Sequence, residues 1–406
     1  MNLLYFTNSY PYGLGEQWKA NELNVLINHF DKITVVPFSY GGNFDHPKNL
    51  PLGVEMAGPL FKDHNLQVKK IDLFRLLFSR HVGSFFVELI SSKAFLNKVH
   101  FISWLGSSLN VLRLLESKLL QHLIKEADSN CVLYFYWGKG SNEVLPFINT
   151  ARFHKVFVRM HRYDLFEYLN NNYIPYRKAL LNVIDVAAPS SVAGKIHLQQ
   201  LYPNAKAEIM SLGCGTIGNG KVSPPSHNNV FRIISCSLLS PVKRIHLMIE
   251  CLPFLKMPVL WRHVGGGVLM EELKAQVERL GMSDKFIFEG MMNSDSILDF
   301  YTDNEFDIFI NTSSSEGVPF SIMEAFSAGI PVMATDVGGT REIVDEKTGA
   351  LLSAEIRPEE LARELTTFYH LSIDLKLKIR KASIIKYENI CNASTLTQEL
   401  ASILKK

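Results

Sequence analysis

Apolar residues along the chain come in short runs separated by longer amphipathic stretches. The run at 3–7, Leu-Leu-Tyr-Phe-Thr, predicts a buried strand. A turn-rich loop follows, Asn8-Ser9-Tyr10-Pro11-Tyr12-Gly13-Leu14-Gly15. A helical pattern is expected from about Glu16, with Leu23, Leu26 and Ile27 on one face, and a second strand at 32–37. Strand, helix and strand at this spacing form a βαβ unit, which implies a parallel sheet. Residues 71–125 read as helical and are rich in Leu and Phe. The apolar runs at 131–137, 156–160 and 183–189 each fit a buried strand between helices.

Between 213 and 225 the pattern breaks. Gly213, Gly215, Gly218, Gly220, Pro224 and Pro225 cluster with Ser and Asn, as in an interdomain linker. The rhythm then restarts, with strands expected at 231–236, 259–264, 286–289, 307–311 and 331–335. Helices are expected at 246–255, 270–280, 296–302, 321–328 and 358–371. The fold class is therefore α/β, with two Rossmann-like parallel-sheet domains in tandem. Ligands of such sheets bind at the C-terminal ends of the strands, so two facing domains imply a central cleft.

Composition narrows the function. The 406 residues are 47% hydrophobic and 20% charged, which excludes a mainly disordered chain. Forty-two Lys and Arg against 40 Asp and Glu give a net charge of +2, so no nucleic-acid partner is expected. Five scattered cysteines, with no C-x-x-C pair, argue against a disulfide framework or a zinc site and for a reducing compartment. The N-terminus lacks the basic start of a signal peptide, and no run approaches the ~20 apolar residues of a membrane span.

Four segments carry candidate chemistry. Gly215-Thr-Ile-Gly-Asn-Gly220-Lys221-Val222 approaches a phosphate-binding loop, but Val222 replaces the hydroxyl residue. Pro224 and Pro225 also block a following helix, so the segment reads as a linker. Gly265-Gly266-Gly267 serves either a tight strand-to-helix turn or a ligand contact. The strongest signal is Ser313-Ser314-Ser315-Glu316-Gly317-Val318-Pro319-Phe320-Ser321-Ile322-Met323-Glu324. There a strand feeds a loop and then a helix, whose first N–H groups and dipole suit a diphosphate. Glu316 and Glu324, eight positions apart, each offer a carboxylate that can accept two hydrogen bonds from a vicinal diol. Lys243 follows the first strand of the second domain and is placed to offset charge in the same crevice. In the first domain His161 ends a strand among Arg159, Arg162 and Asp164.

Together these residues resemble the family-4 glycosyltransferases of the GT-B fold. The E-x7-E element is Glu316 to Glu324, and Gly338-Gly339-Thr340-Arg341-Glu342-Ile343 is similar to the family's G-G-x-x-E-[IL] turn. The resemblance implies that Glu324 holds the ribose and Glu316 the transferred sugar. The diphosphate would meet the amides of Gly317, Val318, Pro319–Phe320 and Ser321, with Lys243 or Arg244. It places Met291 near the base, Gly15 near the diphosphate and His161 near the anomeric carbon, with His161 and Glu316 in catalytic roles. Ser237 stands where the family has an arginine, so diphosphate charge falls to Lys243, Arg244 or the helix dipole. The implied enzyme is a retaining hexosyltransferase, without metal or other cofactor. It takes a UDP- or GDP-sugar as donor and a saccharide or lipid-linked saccharide as acceptor. The implied domains are 1–214, a linker at 215–229, a donor domain at 230–378, and helices at 379–406 returning to the first domain.

A nucleotide-sugar 2-epimerase uses the same fold, but no separate set of acids and bases stands out for it. A catalytically weak partner subunit is the other alternative, favoured by Ser237. The apolar positions of 71–124 fall on no single stripe, so helices buried against the first sheet are one expectation. The other is a face with Lys69, Lys70, Arg75 and Arg80 at the cytoplasmic face of the cell membrane, serving cell-surface polysaccharide or glycolipid synthesis.

Overall fold

The computed structural model describes residues 1–12, 16, 19–40, 47, 50–62 and 70–406. The chain divides into two compact units, 1–212 with 397–406, and 213–396.

The first unit is built on seven strands: β1 (Asn2–Thr7), β2 (Lys32–Pro37), β3 (Val54–Met56), β4 (Cys131–Phe135), β5 (Lys155–Met160), β6 (Val186–Pro189) and β7 (Glu208–Ile209). Their order is β3-β2-β1-β4-β5-β6-β7, and every pairing is parallel. Leu3, Tyr5, Val35, Val132 and Phe157 are all buried, because helices cover both faces. Continuous apolar runs, rather than alternating ones, are what such strands require. The chain moves outward from β1 through β3, then returns to lay β4 on the other side of β1. That reversal opens a crevice at the C-terminal ends of β1 and β4.

Residues 70–126 form helices Lys70–Leu77, Val82–Ser91, Lys98–Glu116 and Lys118–Glu126. The Asn97 side chain caps the third, accepting from the N–H groups of Val99 and His100, and Ser117 caps the fourth. Leu76, Phe85, Leu89, Trp104 and Leu109 close a core of their own. Trp104 Nε1 donates to the Phe85 carbonyl at 2.9 Å, which ties the second helix to the third.

The second unit has six parallel strands: β8 (Phe231–Cys236), β9 (Val259–Val264), β10 (Phe286–Gly290), β11 (Ile308–Asn311), β12 (Val332–Thr335) and β13 (Gly349–Leu352). The order β10-β9-β8-β11-β12-β13 again reverses beside the first strand, between β8 and β11. Two apolar clusters, one around Trp261 and Leu361 and one around Phe309 and Phe326, hold the sheet.

The segment at 213–225 is not a phosphate loop. Gly215 has φ +66°, and a Cβ there would press on the Cys391 carbonyl and the Ala393 amide. Thr216 bridges to Asn392, and Gly218 N–H donates to the Tyr387 hydroxyl at 2.6 Å. Lys221 is exposed, and no helix follows it.

The C-terminal boundary differs from the expected one at 379. Helix Ile373–Lys386 places Ile379 in the second unit's core, and Tyr387 and Cys391 are buried there too. Only 397–406 joins the first unit. Lys155 Nζ donates to the Ile403 carbonyl at 2.8 Å, and Leu400 and Leu404 are buried.

Candidate functional site

In the second unit the site grows from the reversal between β8 and β11. Beyond β8 the chain turns through Pro241–Lys243 and Arg244, whose φ is +49°. Beyond β11 it enters the loop at 312–319. Ser314 N–H donates to the Val242 carbonyl at 2.8 Å, and Thr312 Oγ1 donates to the Lys243 carbonyl at 3.0 Å. The two loops are thus bonded to each other.

Glu316 is held at this junction. Its Oε1 accepts from Ser313 Oγ at 2.5 Å, Lys243 Nζ at 2.6 Å and Asn311 Nδ2 at 3.3 Å. Its Oε2 receives no hydrogen bond from the described residues, which leaves one oxygen to accept from a ligand hydroxyl. Asn311 also accepts the Ser313 N–H at 2.9 Å, so one short polar run sets the loop and the carboxylate together.

The turn at 338–339 braces the loop from behind. Gly339 N–H donates to the Gly317 carbonyl at 2.7 Å. Gly338 has φ +56°, and a Cβ on it would collide with the Glu316 carbonyl oxygen. These glycines are needed because two backbones lie in contact. Pro319 is buried at the N-cap of helix Phe320–Ser327 and directs that helix away from the loop. Glu324 lies on the helix, half-buried. Burial first, and the Glu324 charge next, push the Cys236 thiol up to about 12. Tyr301 is raised by burial, Cys236 and the same carboxylate. Glu324 therefore lies near Cys236, the last residue of β8, and near Tyr301.

Two expectations change. Arg244 donates from Nε to the Thr312 carbonyl at 2.7 Å and from Nη2 to the Ser313 carbonyl at 3.2 Å. Its guanidinium is engaged in bracing the loop that carries Glu316. The glycines at 265–267 serve packing. Cβ atoms at Gly265 and Gly267 would collide with the carbonyl oxygens of Ser237 and Leu239. Gly266 faces Met291, which follows β10 and is 67% exposed. Ser237 has a buried Oγ without a partner and presents no charge.

In the first unit, Gly15 lies outside the described residues. Its neighbour Glu16 is buried and holds the loop after β1, accepting from Ser9 N–H at 2.8 Å, Tyr10 N–H at 2.7 Å and Trp137 Nε1 at 2.5 Å. Lys19 pairs with it and lies 4.0 Å above the Tyr136 ring. Burial works to raise the Glu16 carboxyl, but Lys19 and the two backbone donors outweigh it and hold it below its ordinary range.

His161 follows β5. Its ring stacks on Tyr136 at 5.0 Å and meets Trp137 at 4.6 Å. Burial, with the Arg159 and Lys19 charges, pulls the imidazole down to about 3, so it is neutral. Nε2 lies 3.1 Å from the Tyr136 carbonyl, which can only accept. The proton is therefore on Nε2, and the side chain closes a capping box with Asp164 at the start of helix Arg162–Leu165. Asp164 fixes the backbone here, accepting from His161 N–H at 2.5 Å and Gly138 N–H at 2.6 Å. The sequence motif includes Ser313 without a role for it, and sequence reasoning gives no role to Asn311, Glu16 or Trp137. The polar run Asn311-Thr312-Ser313 was the available signal in the second unit; Trp137 reaches Glu16 from 121 positions away and offered none.

Two parallel sheets of this order define the GT-B fold. Two solved structures share it over the whole chain. Anabaena HepE in complex with UDP is 18% identical, with a TM-score of 0.66 over 100% of this chain and 99% of that one. The lipopolysaccharide outer core galactosyltransferase WaaB is 14% identical, with a TM-score of 0.67 over 100% of both.

Sequence comparison narrows the class. Residues 221–385 match the family Glycosyl transferases group 1, a stretch that contains the whole Glu316 site. Over 245 residues, 58% of the chain, it is 26% identical to an Escherichia coli K12 protein provisionally named a colanic acid biosynthesis glycosyltransferase, WcaL. Over 134 residues, 32% of the chain, it is 33% identical to the Escherichia coli O-antigen biosynthesis glycosyltransferase WbnH. These matches span 60% and 37% of the two relatives' lengths. The family match and the relatives support a glycosyltransferase.

Proposed function

We propose that the chain is a retaining glycosyltransferase that moves a sugar from a UDP- or GDP-sugar to a saccharide or lipid-linked saccharide. The reading fits a place in cell-surface polysaccharide or glycolipid synthesis at the inner face of the cell membrane. The observation that carries it is Glu316, anchored through one oxygen at the β8–β11 reversal within the matched stretch.

In this reading Glu324 takes the ribose hydroxyls, and Glu316 Oε2 a hydroxyl of the transferred sugar. Lys243 and the amides at 317–321 offset the diphosphate, and Met291 borders the base. In the front-side route to retention, the acceptor oxygen attacks on the face from which the diphosphate leaves. The new C–O bond forms as the old one breaks, and the acceptor proton passes to a diphosphate oxygen. No protein base is consumed, and no metal is assigned. The neutral His161 is not assigned the part of an acid.

A turnover assay across UDP- and GDP-sugars tests the assignment. Glu316→Gln keeps the shape but weakens the acceptor, and about a hundredfold loss of kcat with native folding is expected. Unchanged turnover would remove Glu316 from the site.

A further inference from the structure

Of the 32 large hydrophobic side chains exposed among the described residues, 13 fall within residues 71–102. They do not mark a missing core. The helices here already bury Leu76, Phe85, Leu89 and Trp104 against one another. The opposite sides carry Phe74, Phe78, Val87, Ile90, Phe95 and Leu96, between 53% and 84% exposed. A contiguous apolar surface of this kind on a folded protein marks an interaction site.

Its charges say what it meets. Arg80, Lys93 and Lys98 are exposed and form no ion pair among the described residues. The two acids of the segment are already engaged. Asp72 accepts from Arg75 at 2.8 Å, and Glu88 accepts from the Tyr173 hydroxyl at 2.9 Å and the Tyr176 N–H at 3.1 Å. The exposed charges of this apolar face that no ion pair neutralises are positive, and the acid without a cationic partner, Glu88, is half-buried against Tyr173 and Tyr176, which suits an anionic lipid surface. Lys69 and the Lys70 side chain lie outside the described residues.

We propose that helices Lys70–Leu77 and Val82–Ser91, the turn Ala94–Leu96 and the start of helix Lys98–Glu116 dock the protein on an anionic bilayer. The aromatic and aliphatic side chains enter the headgroup boundary, and Arg80, Lys93 and Lys98 meet lipid phosphates. The proposal adds a partner to the functional reading but stands on a different part of the molecule.

Co-sedimentation with vesicles tests it. The full chain should pellet with phosphatidylcholine vesicles containing phosphatidylglycerol at low salt. It should be released by raised salt and bind pure phosphatidylcholine far more weakly. The double variant Lys93→Gln/Lys98→Gln should bind more weakly by about fivefold per cation removed. The double variant Phe78→Asp/Leu96→Asp, at positions already facing solvent, should stay in the supernatant while turning over, at the wild-type rate, the nucleotide-sugar that the wild type uses. Retention of the wild type in the supernatant with anionic vesicles at low salt overturns the proposal. So does equal binding to neutral vesicles, or apolar variants that alter only the oligomeric state in light scattering. None of these results bears on the Glu316 site, which is read by turnover and by nucleotide binding without vesicles.

Discussion

Glu316 is fixed and left usable at once. Three donors converge on Oε1, so the side chain loses its rotamer freedom while folding. Oε2 is then held in place and can accept a hydrogen bond without further ordering cost. His161 is fixed in a similar way, since the Tyr136 carbonyl settles its tautomer. The imidazole has a pH consequence. Burial takes it from an ordinary value of about 6.5 to about 3. Between those values the unfolded chain binds a proton there that the folded chain does not. Its burial is therefore without penalty above pH ~6.5 and costs stability as pH falls toward 3. Asp164, raised by burial to about 6, works in the opposite sense in wild type and variant alike, and so cancels in a comparison. Between pH 7 and pH 5, His161→Gln should lose about 1–2 kcal/mol less stability than the wild type. Urea titrations at the two pH values measure this, and equal losses contradict a neutral His161.

At the scale of elements, the site depends on two backbones in contact. Gly338 allows the turn at 338–339 to lie on the Glu316 carbonyl, and Gly339 bonds to Gly317. Gly338→Ala should cost about 1–3 kcal/mol through its positive φ, and turnover should fall because the collision displaces the Glu316 loop. Differential scanning calorimetry with a donor-turnover assay checks both, and an unchanged kcat would separate the turn from the site. Long buried runs made the larger elements legible. Residues 32–37 and 259–264 were read as strands from their apolar runs alone, because both faces of those strands are covered. The short edge strands Val54–Met56, Glu208–Ile209 and Gly349–Leu352 were missed, since each pairs on one side only and carries little apolar signal. Glu316 and Lys243 were legible from spacing, whereas the use of Arg244 as a brace was not. Whether a guanidinium meets a ligand or the carbonyls of Thr312 and Ser313 depends on a positive φ that no pattern announces.

At the scale of the whole molecule, two parallel sheets reverse strand order at corresponding places, beside β1 in one unit and beside β8 in the other. Each reversal carries the polar residues that sequence and structure bring together. The tail follows burial rather than sequence order: Ile379 and Tyr387 complete the second unit, and Leu400 and Leu404 the first. No helix among the described residues is long and apolar enough to cross a membrane, and the apolar face at 71–102 is a surface feature of the first unit. The central claim is that the β8–β11 reversal of the second unit binds a nucleotide-sugar. Calorimetric titration of the full chain with UDP and with GDP tests it most directly. One of the two should bind saturably, and Glu324→Ala should weaken that binding at least about tenfold, the loss of roughly one charge-assisted hydrogen bond, with an unchanged Tm. Absence of binding by either nucleotide, or equal affinity of the variant, would contradict the account.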